Sequence, residues 1–156
     1  MKLSIIIPVY NSENILGKLI KTIKSSISKK VSTFELLLVN DCSSDKSWQK
    51  ILELKKRNNF IKAINLKYNY GQHGAVFCGL KYSTGDYIVC MDDDMQHDPI
   101  YIPEMLITLK KFEVCYVKFK KRKHGYLKTL ISKLNNIISS FLMNKSINIY
   151  TSSYKC

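Results

Sequence analysis

GDYIVCMDDDMQHDP, residues 85–99, is the stretch from which the fold can be read. Tyr87 to Met91 is an apolar run of buried-strand length, and it stops at three consecutive carboxylates, Asp92, Asp93 and Asp94. Successive side chains of an extended segment point to opposite sides, so Asp92 and Asp94 are expected to share one face while Asp93 points away. If the backbone stays extended, Gln96 continues the alternation. Two carboxylates and an amide oxygen aimed at one point form the hard-oxygen ligand set that Mg2+ or Mn2+ prefers. Like charges held this close also call for a cation. An acidic turn in solvent is the competing reading, and the segments around it decide between the two.

Moving outward, the chain has 156 residues, 46% hydrophobic and 24% charged, which suits one domain with a real core. A domain of about 150 residues buries roughly 70% of its unfolded surface. No apolar run reaches the roughly 18 residues that cross a bilayer, and the apolar segment in MKLSIIIPVYN is too short for a signal peptide. A soluble or peripheral, cytoplasmic protein is therefore expected. Cys42, Cys78, Cys90, Cys115 and Cys156 show no CxxC spacing, so reduced thiols are expected rather than a disulfide framework or a zinc site. The net charge of +13 is uneven: residues 1–109 hold 14 basic and 11 acidic side chains, and residues 110–156 hold 11 basic ones with a single acid, Glu113. Such a C-terminal third suits nucleic acid, anionic lipid or a phosphorylated substrate, and no nucleic-acid-binding signature accompanies it.

Leu3 to Val9, LSIIIPV, is a continuous apolar run of the kind found in parallel strands covered on both faces, with Pro8 making its exit irregular. Ser12 is the expected N-cap of a helix whose Ile15, Leu16, Leu19, Ile20 and Ile23 recur at helical spacing. Phe34 to Val39 is a second buried strand that ends in NDCSSD, before a helical pattern from Trp48 to Lys56. Asp41 stands where open α/β sheets bind ligands and can accept hydrogen bonds from a base or ribose, while Ser44 or Asp45 can cap the helix. Phe60 to Leu66 is a weaker third strand. Gly71 and Gly74 precede a helix through Ala75, Cys78 and Leu80, with His73 within reach of a phosphate. Beyond Pro99, a helix carries Ile102, Met105, Leu106 and Leu109, and Phe112 to Phe119 reads as a further strand. A basic loop spans 118–124. From Gly125 to Met143, Leu127, Leu130, Ile131, Leu134, Ile137, Ile138, Phe141 and Leu142 mark an amphipathic helix that serves either the core or a membrane surface.

Alternating strands and helices with acids at successive strand ends make a nucleotide-binding α/β domain. SIIIPVYN at 4–11, VNDCSSD at 39–45, Asn69 with Gly71, and GDYIVCMDDDMQHDP resemble, in order and spacing, the N-terminal catalytic region of family 2 glycosyltransferases with the GT-A fold. That fold is Rossmann-like, a mostly parallel sheet flanked by helices. The form DxDxQ followed by a proline is most similar to the branch that glycosylates polyprenyl phosphates, the dolichol-phosphate mannose synthases and bacterial undecaprenyl-phosphate sugar transferases.

The resemblance implies that Pro8, Tyr10, Asn11, Asp41 and Asp92 contact the nucleotide of a UDP- or GDP-linked sugar. It implies that Asp92, Asp94 and Gln96 hold Mg2+ or Mn2+ across the diphosphate, and that Lys118, Arg122, Ser132 and Lys155 receive the acceptor phosphate. Asp94 and Arg122 would be the catalytic pair. Asp93 stands where the family has a small residue, Ser12 where it often has Glu, and Asp98 where proline is common. Relatives continue beyond the position matching Lys155, so a GT-A domain over 1–156 that is incomplete at its C-terminus is expected. The implied chemistry is inverting, metal-dependent transfer to a polyprenyl phosphate, an acceptor already anionic at neutral pH that needs no general base. Transfer to a saccharide hydroxyl, or a truncated non-catalytic module that only binds nucleotide sugars, are the alternatives. Association with the inner face of a membrane follows from the lipid acceptor; nucleic acid is not an expected partner.

Overall fold

The apolar runs at 3–9 and 34–39 become neighbouring central strands, and their lack of polar alternation is explained by cover on both faces. A computed structural model describes residues 2–27, 31 and 33–117. In chain order the elements are β1 (Lys2–Val9), α1 (Leu16–Ile27), β2 (Thr33–Asn40), α2 (Ser47–Arg57), β3 (Ile61–Asn65), α3 (Gly71–Tyr82), β4 (Tyr87–Cys90), a 3-10 turn (Pro99–Tyr101) and α4 (Ile102–Thr108). The sheet is parallel throughout, in the order β3-β2-β1-β4. Ile6 sits at its centre, in register with Leu37 on one side and Cys90 on the other.

The chain steps outward from β1 to β2 to β3, then crosses back to lay β4 against the free side of β1. With right-handed crossovers this reversal puts α1 and α2 on one face and α3 on the other. On the α3 face, Ala75 packs among Ile6, Leu37, Val39 and Cys90. Contact there is so close that a Cβ on Gly79 would lie 2.4 Å from Ile6 Cγ2. By alternation Ile5, Ile7, Leu36 and Leu38, all fully buried, face the α1 side, where Leu16, Leu19, Ile20, Ile23 and Ile27 supply the opposing stripe.

At the opposite end of the sheet from the strand exits, Glu35 is buried and ties together the segments that start β1, β3 and β4. Its carboxylate accepts from Ser4 Oγ (2.6 Å) and Thr84 N–H (2.7 Å) and pairs with Lys62 Nζ (2.7 Å). Burial alone would raise its pKa, but the hydrogen bonds from Lys62, Ser4 and Thr84 outweigh it and bring the value down from 4.5 to about 2. Gly85, next in the chain, runs against this knot: a Cβ there would lie 2.6 Å from the Ser4 backbone nitrogen. This cluster fixes where β4 begins, and so where the acidic run after it emerges.

Two expectations are corrected. Ser12 does not cap α1 with its side chain: its carbonyl accepts from Ile15 N–H (3.0 Å), and its hydroxyl is committed elsewhere. The strand expected over Phe112–Phe119 does not form in its described part, where Tyr116 makes an isolated bridge. Phe112, Val114 and Tyr116 alternate as a strand would, but all three are more than half exposed. The helix expected over Gly125–Met143 and the basic loop before it lie outside the described residues. All the elements above belong to one compact unit; the second, Tyr116–Ser152, enters the described residues only at Tyr116 and Val117. Among the described residues no helix is long and apolar enough to cross a membrane.

Candidate functional site

In an open parallel sheet, ligands bind at the carboxyl ends of the strands where the strand order reverses. Here that point lies between β1 and β4, and it holds a groove of about 390 Å3. Pro8, Val9 and Tyr10 line it from the end of β1, Asp41 from β2, Asn69, Gly71 and Gln72 from the start of α3, and Asp92, Asp93 and Asp94 from the end of β4.

The loop after β1 is built to stay fixed. Four consecutive amides each donate to a side-chain oxygen: Tyr10 to Asp93 Oδ2 (3.4 Å), Asn11 to Ser43 Oγ (3.0 Å), Ser12 to Ser47 Oγ (2.8 Å) and Glu13 to Asp45 Oδ2 (3.2 Å). Asn11 takes a left-handed φ of 54°, and its side-chain oxygen accepts from Ser44 N–H at 2.8 Å. In return Glu13 accepts from Lys46 N–H (2.8 Å), while Asp45 accepts from Ser47 N–H (2.9 Å) at the first residue of α2. Asp45, expected as a cap of α2, instead stands one residue before the N-cap, Lys46, and serves both loops; its carboxyl is held below the usual range by these bonds against the opposing effect of burial.

Asp41 is buried at the end of β2 and accepts from Tyr70 N–H at 2.8 Å, which draws the segment before α3 over the groove. Beside it Asn40 donates to Asn65 Oδ1 (2.6 Å) and accepts from Ser43 Oγ (2.6 Å). The exits of β1, β2 and β3 are therefore cross-linked by polar side chains.

The acidic run departs from the extended form expected of it. Asp94 Oδ1 accepts from Gln96 N–H at 3.0 Å, and Met95 between them takes a left-handed φ of 63°. This turn ends the alternation, so Gln96 is exposed and absent from the groove lining. His97 instead folds back beneath the run and is buried, its Nδ1 accepting from Asp92 N–H at 3.0 Å, which leaves the proton on Nε2, 3.8 Å from Asp92 Oδ2. Gln72, at the first turn of α3, donates its side-chain amide to Asp92 Oδ1. Asp93 is turned to the loop after β1, where Oδ2 accepts from Ser12 Oγ at 2.5 Å. Burial raises its pKa, opposed by the bonds from Ser12 and Tyr10 and reinforced by the neighbouring charge of Asp94.

Of the residues singled out from sequence, Pro8, Tyr10, Asp41, Asp92 and Asp94 come together in one groove. Asn11 does not line it and acts within the loop, and His73 is exposed and outside the lining. Lys118, Arg122, Ser132 and Lys155 lie outside the described residues. Gln72, the buried His97 and the Ser12–Asp93 bond were not foreseen. The Asp-Met-Gln triplet carried a signal for the turn, since an aspartate readily accepts from the amide two residues on; Gln72 carried none, because only the crossover of α3 brings it to Asp92.

A family model described as "Glycosyl transferase family 2" matches residues 4–154. The undecaprenyl-phosphate 4-deoxy-4-formamido-L-arabinose transferase of Proteus mirabilis (strain HI4320) is 32% identical over 151 residues, covering 96% of this chain and 46% of the relative. The chain spans about half the length of the curated relatives it matches. Among solved structures, S. aureus TarS 1–349 in complex with UDP aligns with a TM-score of 0.65 at 26% identity, covering 80% of this chain and 38% of that one. Glucosyl-3-phosphoglycerate synthase from Mycobacterium tuberculosis, in complex with UDP, aligns over 99% of this chain and 55% of its own with a TM-score of 0.69 at 17% identity, a likeness of fold.

Proposed function

This chain belongs to glycosyl transferase family 2, and on that premise we propose that it takes a sugar from a UDP- or GDP-linked donor and joins it to the phosphate of a polyprenyl lipid. The observation that carries this reading is a single groove at the reversal of strand order, lined both by the buried Asp41 and by Asp92 and Asp94. The P. mirabilis relative is named for an undecaprenyl-phosphate acceptor, and TarS was solved with UDP, which favours the same pair of substrates here.

Asp41, with Pro8 and Tyr10, would hold the base and ribose. Among the described residues no three His, Cys, Asp or Glu side chains converge as a metal cage. Mg2+ or Mn2+ is commonly held by one or two carboxylates with substrate phosphates completing the shell, and of the carboxylates lining the groove, Asp41, Asp92, Asp93 and Asp94, the two proposed for that role are Asp92 and Asp94. Gln96, turned out of the groove, is not among the ligands proposed. Such a cation would stabilise negative charge on the departing nucleoside diphosphate.

The protein's own part is alignment. The acceptor phosphate oxygen would bond to the anomeric carbon as the bond from that carbon to the diphosphate oxygen breaks, which inverts the centre and moves no proton. Lys118, Arg122, Ser132 and Lys155 are the groups proposed to receive the acceptor. With a lipid acceptor, the work would be done at the inner face of a membrane.

The test is transfer of radiolabelled sugar from UDP- and GDP-linked donors to polyprenyl phosphate and, in parallel, to free saccharides, with Mn2+ or with chelator. Label on the lipid, lost with chelator and lost in Asp94→Asn, is expected. Label on saccharide alone, or full activity in chelator, overturns the reading.

A further inference from the structure

Tyr10 leaves the end of β1 and the acidic run leaves the end of β4, and these strands are neighbours in the sheet. Both ends line the same groove, yet they belong to loops that the chain separates by about eighty residues. A ligand that touches both needs them held at a fixed span. Asp93 supplies the connection: one oxygen, Oδ2, accepts from Tyr10 N–H (3.4 Å) and from Ser12 Oγ (2.5 Å).

We propose that Asp93 is a positioning residue of the donor site, one that fixes Tyr10 relative to Asp92 and Asp94 so that a single nucleoside diphosphate can engage both. The inference rests on the donor-binding reading above. Ser12 is well placed to transmit the constraint, since it is buried and its own amide is anchored to Ser47 Oγ at 2.8 Å. Its hydroxyl oxygen also lies 3.1 Å from Tyr10 O, so the serine sits between the base-side loop and the carboxylate. The amides of Asn11 and Glu13 bind the loop to the segment before α2. Asp93 is what binds it to the acidic run. A third carboxylate adjacent to two others carries a repulsive penalty, and one of its oxygens, Oδ2, is committed to the loop. The span matters for a diphosphate, which has atoms at both ends of the groove, and far less for a monophosphate.

The experiment is calorimetric titration of wild type, Asp93→Ala, Asp93→Asn and Ser12→Ala with UDP, GDP, UMP and GMP in saturating Mn2+, with each variant's Tm measured alongside. For whichever diphosphate binds wild type, Asp93→Ala and Ser12→Ala are expected to weaken affinity about tenfold, the loss typical of a hydrogen bond to a charged group. The matching monophosphate should change by less than about twofold on the same grounds. Asp93→Asn keeps one oxygen that can take both bonds and should restore diphosphate affinity. The double variant Asp93→Ala/Ser12→Ala should bind no worse than either single one. Unchanged diphosphate affinity in Asp93→Ala, equal losses for diphosphate and monophosphate, or failure of the asparagine to rescue would each overturn the proposal. If Asp93→Ala does not fold, Ser12→Ala carries the comparison. Wild type that binds no nucleotide would sink the donor reading and this inference together; wild type that binds while Asp93→Ala matches it sinks the inference alone.

Discussion

Gln72 donates its side-chain amide to Asp92 Oδ1, so the first turn of α3 is tied to a carboxylate at the end of β4. His97 approaches the same carboxylate from below, with Nε2 3.8 Å from Oδ2. Asp92 is thereby steered by two residues, one twenty positions before it and one five positions after. Its orientation is a tertiary property that the acidic run does not possess by itself.

Replacing Gln72 with Leu should free Asp92 to rotate. Apparent Mn2+ affinity in the presence of nucleoside diphosphate is expected to fall about three- to tenfold, within the range of one hydrogen bond to a charged partner. Gln72→Glu should bind Mn2+ more tightly than Gln72→Leu, because a second carboxylate beside the first is relieved by the cation. Metal titrations of the two variants check the order.

Glu35 makes acid stability predictable. Its pKa is near 2 in the folded protein against a usual 4.5, so the unfolded chain binds the proton more readily between those values. The stabilisation it provides is complete above about pH 4.5 and is lost as pH falls towards 2. A gap of that size corresponds to on the order of 3 kcal/mol. Glu35→Gln should lower stability at pH 7 and flatten its fall between pH 4.5 and 2, as read by urea denaturation across that range.

Much of the scaffold was legible because it rests on burial. The β1 and β2 runs are apolar without alternation, the α1 stripe repeats at helical spacing, and Asp41 and Asp92–Asp94 fall at strand ends; these patterns mean the same thing in sequence as in space. The site's finer geometry was not legible, since it depends on which loop meets which. Ser12 reads as a helix cap until Asp93 is found 2.5 Å from its hydroxyl. The extended Asp92–Gln96 segment fails because the Asp94 side chain captures the Gln96 amide and drives Met95 left-handed, a local competition that strand periodicity ignores. Phe112–Val117 alternates like a strand, but Phe112, Val114 and Tyr116 stay more than half exposed.

Gly79→Ala tests how tightly α3 seats on the sheet. A methyl there would lie 2.4 Å from Ile6 Cγ2 and 3.4 Å from Val39 Cγ2, and Ile6 is fully buried between β2 and β4. The helix must shift outward or Ile6 must change rotamer, and such overpacking costs about 1–3 kcal/mol. Because α3 carries Gln72, the loss of Tm should be accompanied by weaker metal-dependent nucleotide binding. A stability drop with binding intact would show that α3 tilts about its N-terminal end instead.

His97→Leu should destabilise the protein and disturb the Asp92 edge of the groove together. His97 is buried, and its Nδ1 accepts the Asp92 amide at 3.0 Å; a leucine leaves that N–H without its partner next to an apolar side chain. Loss of one hydrogen bond costs about 0.5–1.5 kcal/mol. The asparagine variant separates shape from hydrogen bonding, since its side-chain oxygen can reach the position of Nδ1 and accept the same amide. His97→Asn should therefore recover most of the stability lost in His97→Leu, as measured by urea midpoints at constant m-value. If both variants lose stability equally, the bond from Asp92 is not what holds the turn, and the packing of the imidazole against its neighbours takes that role.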